Sequence, residues 1–289
     1  MSNILRTTLL LAALTGLMVG LGQMLGGSQG AVMALVLSVA MNFGSYWFSD
    51  KIVIRAYGGQ EIHEQDDPEL YGIVKGLAQR NQMPMPRLYL IPSDSPNAFA
   101  TGRNPEHAAV AVTAGIRRLL SRRELEGVLA HEIAHVTNRD ILTSSIAATL
   151  AGAIMTLARM AQWGMMFGGG RRDEREGGGG ALGLLVTMIV APLAASLIQM
   201  AISRSREFQA DDIGARLVGD PEALASALQK IAGGAAEVPL DASPQTAHMF
   251  IINPLRASML QNLFSTHPPL EQRLERLQRV AVELGHAAR

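Results

Sequence analysis

The chain has 289 residues, with 25 Lys+Arg against 25 Asp+Glu and no cysteine. Zero net charge offers no electrostatic footprint for nucleic acid, and the missing cysteines exclude disulfides, thiolate metal sites and cysteine nucleophiles. Few aromatics beside 29 Gly and 15 Met suit helices packed closely in lipid, with an Ala-rich soluble helical protein as the alternative.

Residues 1–49 come first. No Asp, Glu, Lys or Arg occurs from Thr7 to Ser49. One membrane-spanning helix takes about 20 apolar residues, so this run has room for two. Gly26, Gly27, Ser28 and Gly30 mark the turn between them. A cleaved signal peptide competes for the first run, but a second apolar run follows at once without a clear small-x-small cleavage site.

Residues 50–140 read as mixed α/β. "KIVIRAY" predicts a strand. "DDPELYGIVKGLAQRNQM" predicts a helix capped by Asp67 with Pro68 at its first position. "RLYLI", "NAFATG" and "AAVAVTAG" predict short strands between Pro, Asn and Gly breaks. "SRRELEGVLAHEIAHV" predicts a helix whose capping box is Ser121 and Glu124. Leu125, Val128, Leu129 and Ile133 form its buried stripe.

Within that helix His131 and His135 are one turn apart on one face, with Glu132 beside them. This is the H-E-x-x-H zinc pattern: two imidazole ligands and a general base. Such a short pattern also arises by chance, on a surface helix with two incidental histidines, so its context decides.

Residues 141–203 hold two further apolar runs, Ile141 to about Met160 and roughly Ala181 to Ser203. The charged glycine-flanked loop 168–180, "GGGRRDEREGGGG", lies between them. The runs predict a transmembrane hairpin, with Arg159 drawn to an interface or facing protein. A helical hairpin that enters lipid only in part is the alternative. Arg6, Lys51 and Arg55 place the N-terminus and the segment after the second run in the cytoplasm by the positive-inside rule. Arg171, Arg172 and Arg175 in the later loop argue the other way.

Residues 204–289 predict helices from "SREFQADDIGARLVG", "DPEALASALQKIAGG" and "PPLEQRLERLQRVAVELG". Glu207 and Asp211 share a helical face, so Glu207 can supply a third zinc ligand while Asp211 reaches the free ring nitrogen of a histidine ligand. A solvated acidic patch is the alternative. A membrane hairpin returns the chain to the side it left, which would bring His131, His135 and Glu207 together.

In this order, two N-terminal runs, "PNAFATG", "VLAHEIAHVTNRD", an apolar pair, "SRSREFQAD" and "THPPLEQRL" resemble the HtpX heat-shock proteases over nearly the whole chain. These are bacterial integral-membrane zinc metalloendopeptidases related to the CAAX prenyl proteases. The resemblance implies an α+β fold with about four transmembrane helices and a zincin-like domain. It implies one zinc ion on His131, His135 and Glu207, with Glu132 as base and Asp211 at the family's acidic position. It further implies an inner-membrane, multi-pass location, a cytoplasmic active site, and misfolded or damaged membrane proteins as polypeptide substrates.

Two assignments rest on residues alone. His267 in "STHPPL" is the candidate donor to the oxyanion, against a capping or merely exposed histidine. Asn97, Ala98, Phe99 and Ala100 are the candidate substrate-binding edge strand, against an ordinary core hairpin. Two other functions stay open. A CAAX-type processing enzyme would need more spans. A membrane scaffold with a structural zinc would need a fourth ligand and would leave Glu132 unexplained.

Overall fold

The computed structural model describes residues 3–147, 204–237, 251 and 268–285. Most of the third apolar run, all of the fourth, the 168–180 loop and His267 lie outside the described residues.

Helix α1, Asn3–Ala56, covers the first two apolar runs. It is not one straight rod. Asn42 Nδ2 donates to Thr15 Oγ1 at 2.9 Å, although the residues are 27 apart in sequence. A straight helix would separate them by about 40 Å. The chain doubles back at Gly27, whose φ of 60° only glycine adopts freely. Among the described residues, Gly27–Ala56 is long and apolar enough to cross a membrane, and Leu11–Gly20 is a shorter apolar stretch before it.

The "KIVIRAY" strand is not formed: residues 51–56 are the last turns of α1. The β-branched Ile52, Val53 and Ile54 favour strand locally, but tertiary packing overrides that preference. The neighbours Val53 and Ile54 both bury against Ile91, Phe99 and Ala111. In a strand they would point to opposite faces.

Four strands make one sheet in the order β1-β2-β4-β3. They are β1 (Gln60–Ile62), β2 (Arg87–Ile91), β3 (Ala98–Gly102) and β4 (Ala108–Thr113). β1 was not expected, because "QEI" is short and polar. β2 and β4 run parallel, while β1 and β3 are antiparallel to their neighbours. Side chains alternate between faces. Leu88, Ala98, Ala100, Val110 and Val112 join the main core, whereas Ile91, Phe99 and Ala111 meet the end of α1.

Helix α2, Pro68–Arg80, starts as expected, with Asp67 accepting from the Leu70 amide. A short α3, Ala114–Leu119, leads into α4, Arg122–Thr137. The Ser121–Glu124 capping box is complete, and Leu125, Val128, Leu129 and Ile133 are fully buried. The chain breaks at Asn138 and Arg139 and is helical again over 140–147. Helices α5 (Arg204–Val218), α6 (Pro221–Glu237) and α7 (Leu270–Glu283) complete the described fold. α5 lies directly on α4, because Gly214 has no side chain. A Cβ there would stand 2.8 Å from the His131 amide nitrogen. That close approach brings Glu207 and Asp211 level with the histidines.

Candidate metal centre

α4 and α5 bring together the side chains that the sequence pairs. One ligand atom from each of His131, His135 and Glu207 lies within 4.8 Å of the others. His131 Nε2 is 3.8 Å from Glu207 Oε2, and His135 Nε2 is 3.4 Å from Glu207 Oε1. Both Nε2 atoms therefore face the same carboxylate.

Each histidine is held from behind. His131 Nδ1 donates to Asp211 Oδ1 at 2.9 Å, and His135 Nδ1 lies 3.4 Å from Asp140 Oδ2. A carboxylate on Nδ1 fixes the tautomer and leaves the Nε2 lone pair for a metal. Asp211 is the acid that the helical spacing named for the free ring nitrogen of a histidine ligand. Asp140 was not foreseen, since it follows the break at Asn138 and Arg139 and no helical projection carries across it.

Two buried arginines were also missed. Arg273 grips Asp211 with Nε and Nη2 and donates through Nη1 to the Ile251 carbonyl at 2.9 Å. Arg206 Nη1 donates to Asp140 Oδ1 at 3.2 Å. Arg273 did leave a signal. It falls on the stripe made by Leu270, Leu274, Leu277 and Ala281, where a charged residue is out of place.

Glu132 is buried beside the cluster, and its Oε2 accepts from the Ala100 amide at 2.8 Å. Burial, aided by the nearby Glu207, pushes its carboxyl up to about 8, against His135 and the Ala100 N–H. Burial lowers His131, outweighing Asp211. Burial would lower His135 too, but Asp140, Glu207 and Glu132 raise it to about 9. Burial would raise Asp211, but Arg273 and His131 bring it to about 2. A cation among these groups would reverse the balance on Glu132 and His135, since it is the largest local charge.

The proposed substrate strand is at the edge of the described sheet, next to Glu132. Some of its outward groups have partners within the chain. The Ala98 carbonyl accepts from the Ile251 amide, Ala100 donates to Glu132, and Gly102 donates to Ser145 Oγ. Phe99 faces away, into the α1 cluster. The Asn97 side chain accepts from the Ala98 and Ile251 amides, which makes it a strut for this edge.

Residues 64–281 match the family described as Peptidase family M48. The chain belongs to that family. Its M48 relatives include a protease HtpX homolog of Syntrophobacter fumaroxidans, 59% identical over 279 residues, covering 96% of this chain and 99% of that one. A protease HtpX homolog of Methylibium petroleiphilum is 55% identical over 280 residues, covering 96% and 97%. The crystal structure of S. mikatae Ste24p matches with a TM-score of 0.50 at 20% identity, over 84% of this chain and 57% of that one. At that identity the likeness supports the fold alone. An M48 peptidase is a metallopeptidase acting on polypeptides. The donor set fits such a metal: two imidazole nitrogens and a carboxylate suit zinc, with both imidazoles braced.

Proposed function

We propose that the chain is a membrane-bound zinc endopeptidase that removes misfolded or damaged membrane proteins. The observation that carries this reading is the convergence of His131, His135 and Glu207, with Glu132 buried beside them. Among the described residues the metal group has three members, as in a catalytic site that keeps one position open.

His131, His135 and Glu207 would hold the zinc. Bound there, zinc lowers the pKa of a water to about 7 and polarises the scissile carbonyl. Glu132 takes the proton of the attacking water and later passes it to the leaving amine. The Ala100 amide orients that carboxylate. Asp211 and Asp140 hold the imidazoles in register, and Arg273 and Arg206 hold the carboxylates. His267 is proposed to donate to the oxygen that gains charge. Its support is nearness in sequence to α7, whose Arg273 reaches the centre.

The proposed setting is the bacterial inner membrane, with four spans and a cytoplasmic site. The apolar runs and the positive charges Lys51 and Arg55 in the last turns of α1 support it. Casein hydrolysis in detergent tests the chemistry. Chelation should abolish it and zinc should restore it, at one zinc per chain. Full activity after complete metal removal would refute the mechanism.

A further inference from the structure

The start of the protease domain is tied to α1 and to Tyr57 just beyond it, at three heights. Arg103, just after β3, stacks on the Trp47 ring with its guanidinium carbon 4.5 Å from the centroid. Arg87, at the start of β2, pairs with Asp50. Phe99 packs on Tyr57, ring centroids 6.2 Å apart. β3 therefore runs back along the tail of α1, and its Gly102 end points toward the apolar arm.

The height of Trp47 in a bilayer follows from two independent observations. The apolar arm begins at the Gly27 turn, and about 20 helical residues cross the hydrocarbon core, which ends the crossing near residue 47. Phe43, Tyr46, Trp47 and Phe48 are all substantially exposed, and Lys51 follows over the Phe48 ring. An exposed aromatic belt followed by a cation marks the headgroup layer.

These heights fix the catalytic group. Ala100, which donates to Glu132, is three residues from Arg103 along β3, about 10 Å at strand rise. We infer that the Arg103–His107 turn rests on the headgroup layer and that the site cuts membrane proteins in the chain immediately outside a span. An extended substrate reaches ~10 Å in about three residues. The cut therefore falls a few residues from the bilayer, about three at full extension, at a position set by distance rather than by sequence. The turn carries Arg103 and Glu106 together, so the contact needs headgroups and not a net anionic surface.

This inference rests on the endopeptidase reading, and the test separates the two. The full chain is placed in phosphatidylcholine vesicles with a single-span substrate bearing a disordered polar tail. A second substrate has about ten residues, ~35 Å when extended, inserted between span and tail. Mass spectrometry should place the cut at the same distance from the span in both. A cut that moves with the tail sequence overturns the inference. Arg103→Gln, and Arg103→Glu with Trp47→Ala, should shift and spread the cuts in the tethered substrates while casein in detergent is cut at the wild-type rate. Unmoved cut positions would overturn the role of this contact. Failure of the wild type to cut casein would instead sink the endopeptidase reading itself.

Discussion

Arg273 grips Asp211 with two hydrogen bonds, Nε to Oδ2 at 2.8 Å and Nη2 to Oδ1 at 2.7 Å, and both side chains are fully buried. The same Asp211 oxygen accepts from His131. The C-terminal helix is thereby wired to a metal ligand. Arg273→Met leaves a buried carboxylate without its cation, which typically costs about 3–5 kcal/mol. Denaturant unfolding should show that loss, and a chelator competition should show zinc affinity lower by about 10- to 100-fold. Asp211→Asn together with Arg273→Met should recover much of the stability and none of the affinity. Unchanged zinc affinity in Arg273→Met would reduce this pair to a packing contact.

Glu132→Gln separates the base from the ligands. The variant should bind zinc as the wild type does, since Glu132 is not in the converging set. Hydrolysis should fall by at least about 100-fold, the usual worth of a positioned general base. Metal analysis finding the variant empty of zinc would overturn this division of roles.

What the sequence made legible follows from periodicity within single elements. His131 with His135, Glu207 with Asp211, and Ser121 with Glu124 are each a spacing along one helix or its cap, and the structure places each pair on one face or at one helix end. Contacts across elements were not legible. Asp140 braces His135 only because the chain breaks at Asn138–Arg139, and Arg206 reaches it from 66 positions away. The tail of α1 misled for a related reason. Its β-branched residues state a local preference, and Phe99 and Ala111, far along the chain, decide against it.

Glu124 gives a pH dependence with a definite sign. Burial would raise its carboxyl, but hydrogen bonds from Lys230, Ser226 and Ser121 bring it down to about 2 from an ordinary 4.5. A depressed folded pKa contributes stability that is complete above pH 4.5 and is lost as pH falls toward 2. Solvent around the half-exposed Lys230 screens the pair and leaves the linkage worth on the order of 1 kcal/mol. Wild type should therefore exceed Glu124→Gln by roughly that much at neutral pH, and the gap should close by the acid end of the window. A gap that stays constant across the titration would remove the charge from the explanation.

His267→Phe tests the proposed oxyanion donor. Zinc content and peptide binding should persist, with KM little changed. Turnover should drop by about 100- to 1,000-fold. A wild-type rate would return His267 to a structural role.

Topology decides whether the two halves of the centre are joined through the membrane. His135 and Glu207 face one another at 3.4 Å, so the chain between them must leave and return on one side. Two runs of about 20 apolar residues in that interval are long enough to cross and come back. By the positive-inside rule, Lys51 and Arg55 favour the cytoplasm as that side, which is the proposal under test. The chain has no cysteine of its own, so single cysteines report position cleanly. Glu64 and Glu222 are exposed in the folded domain and suit the purpose. Cysteine at either should resist a membrane-impermeant thiol reagent in intact cells and react once the membrane is opened. Cysteine at Glu174, within the 168–180 loop, should react in intact cells if both runs cross. Protection at all three positions would mean a hairpin that does not cross, and two spans instead of four. Labelling of Glu64 and Glu222 in intact cells would place the metal centre on the outer face and end the cytoplasmic assignment.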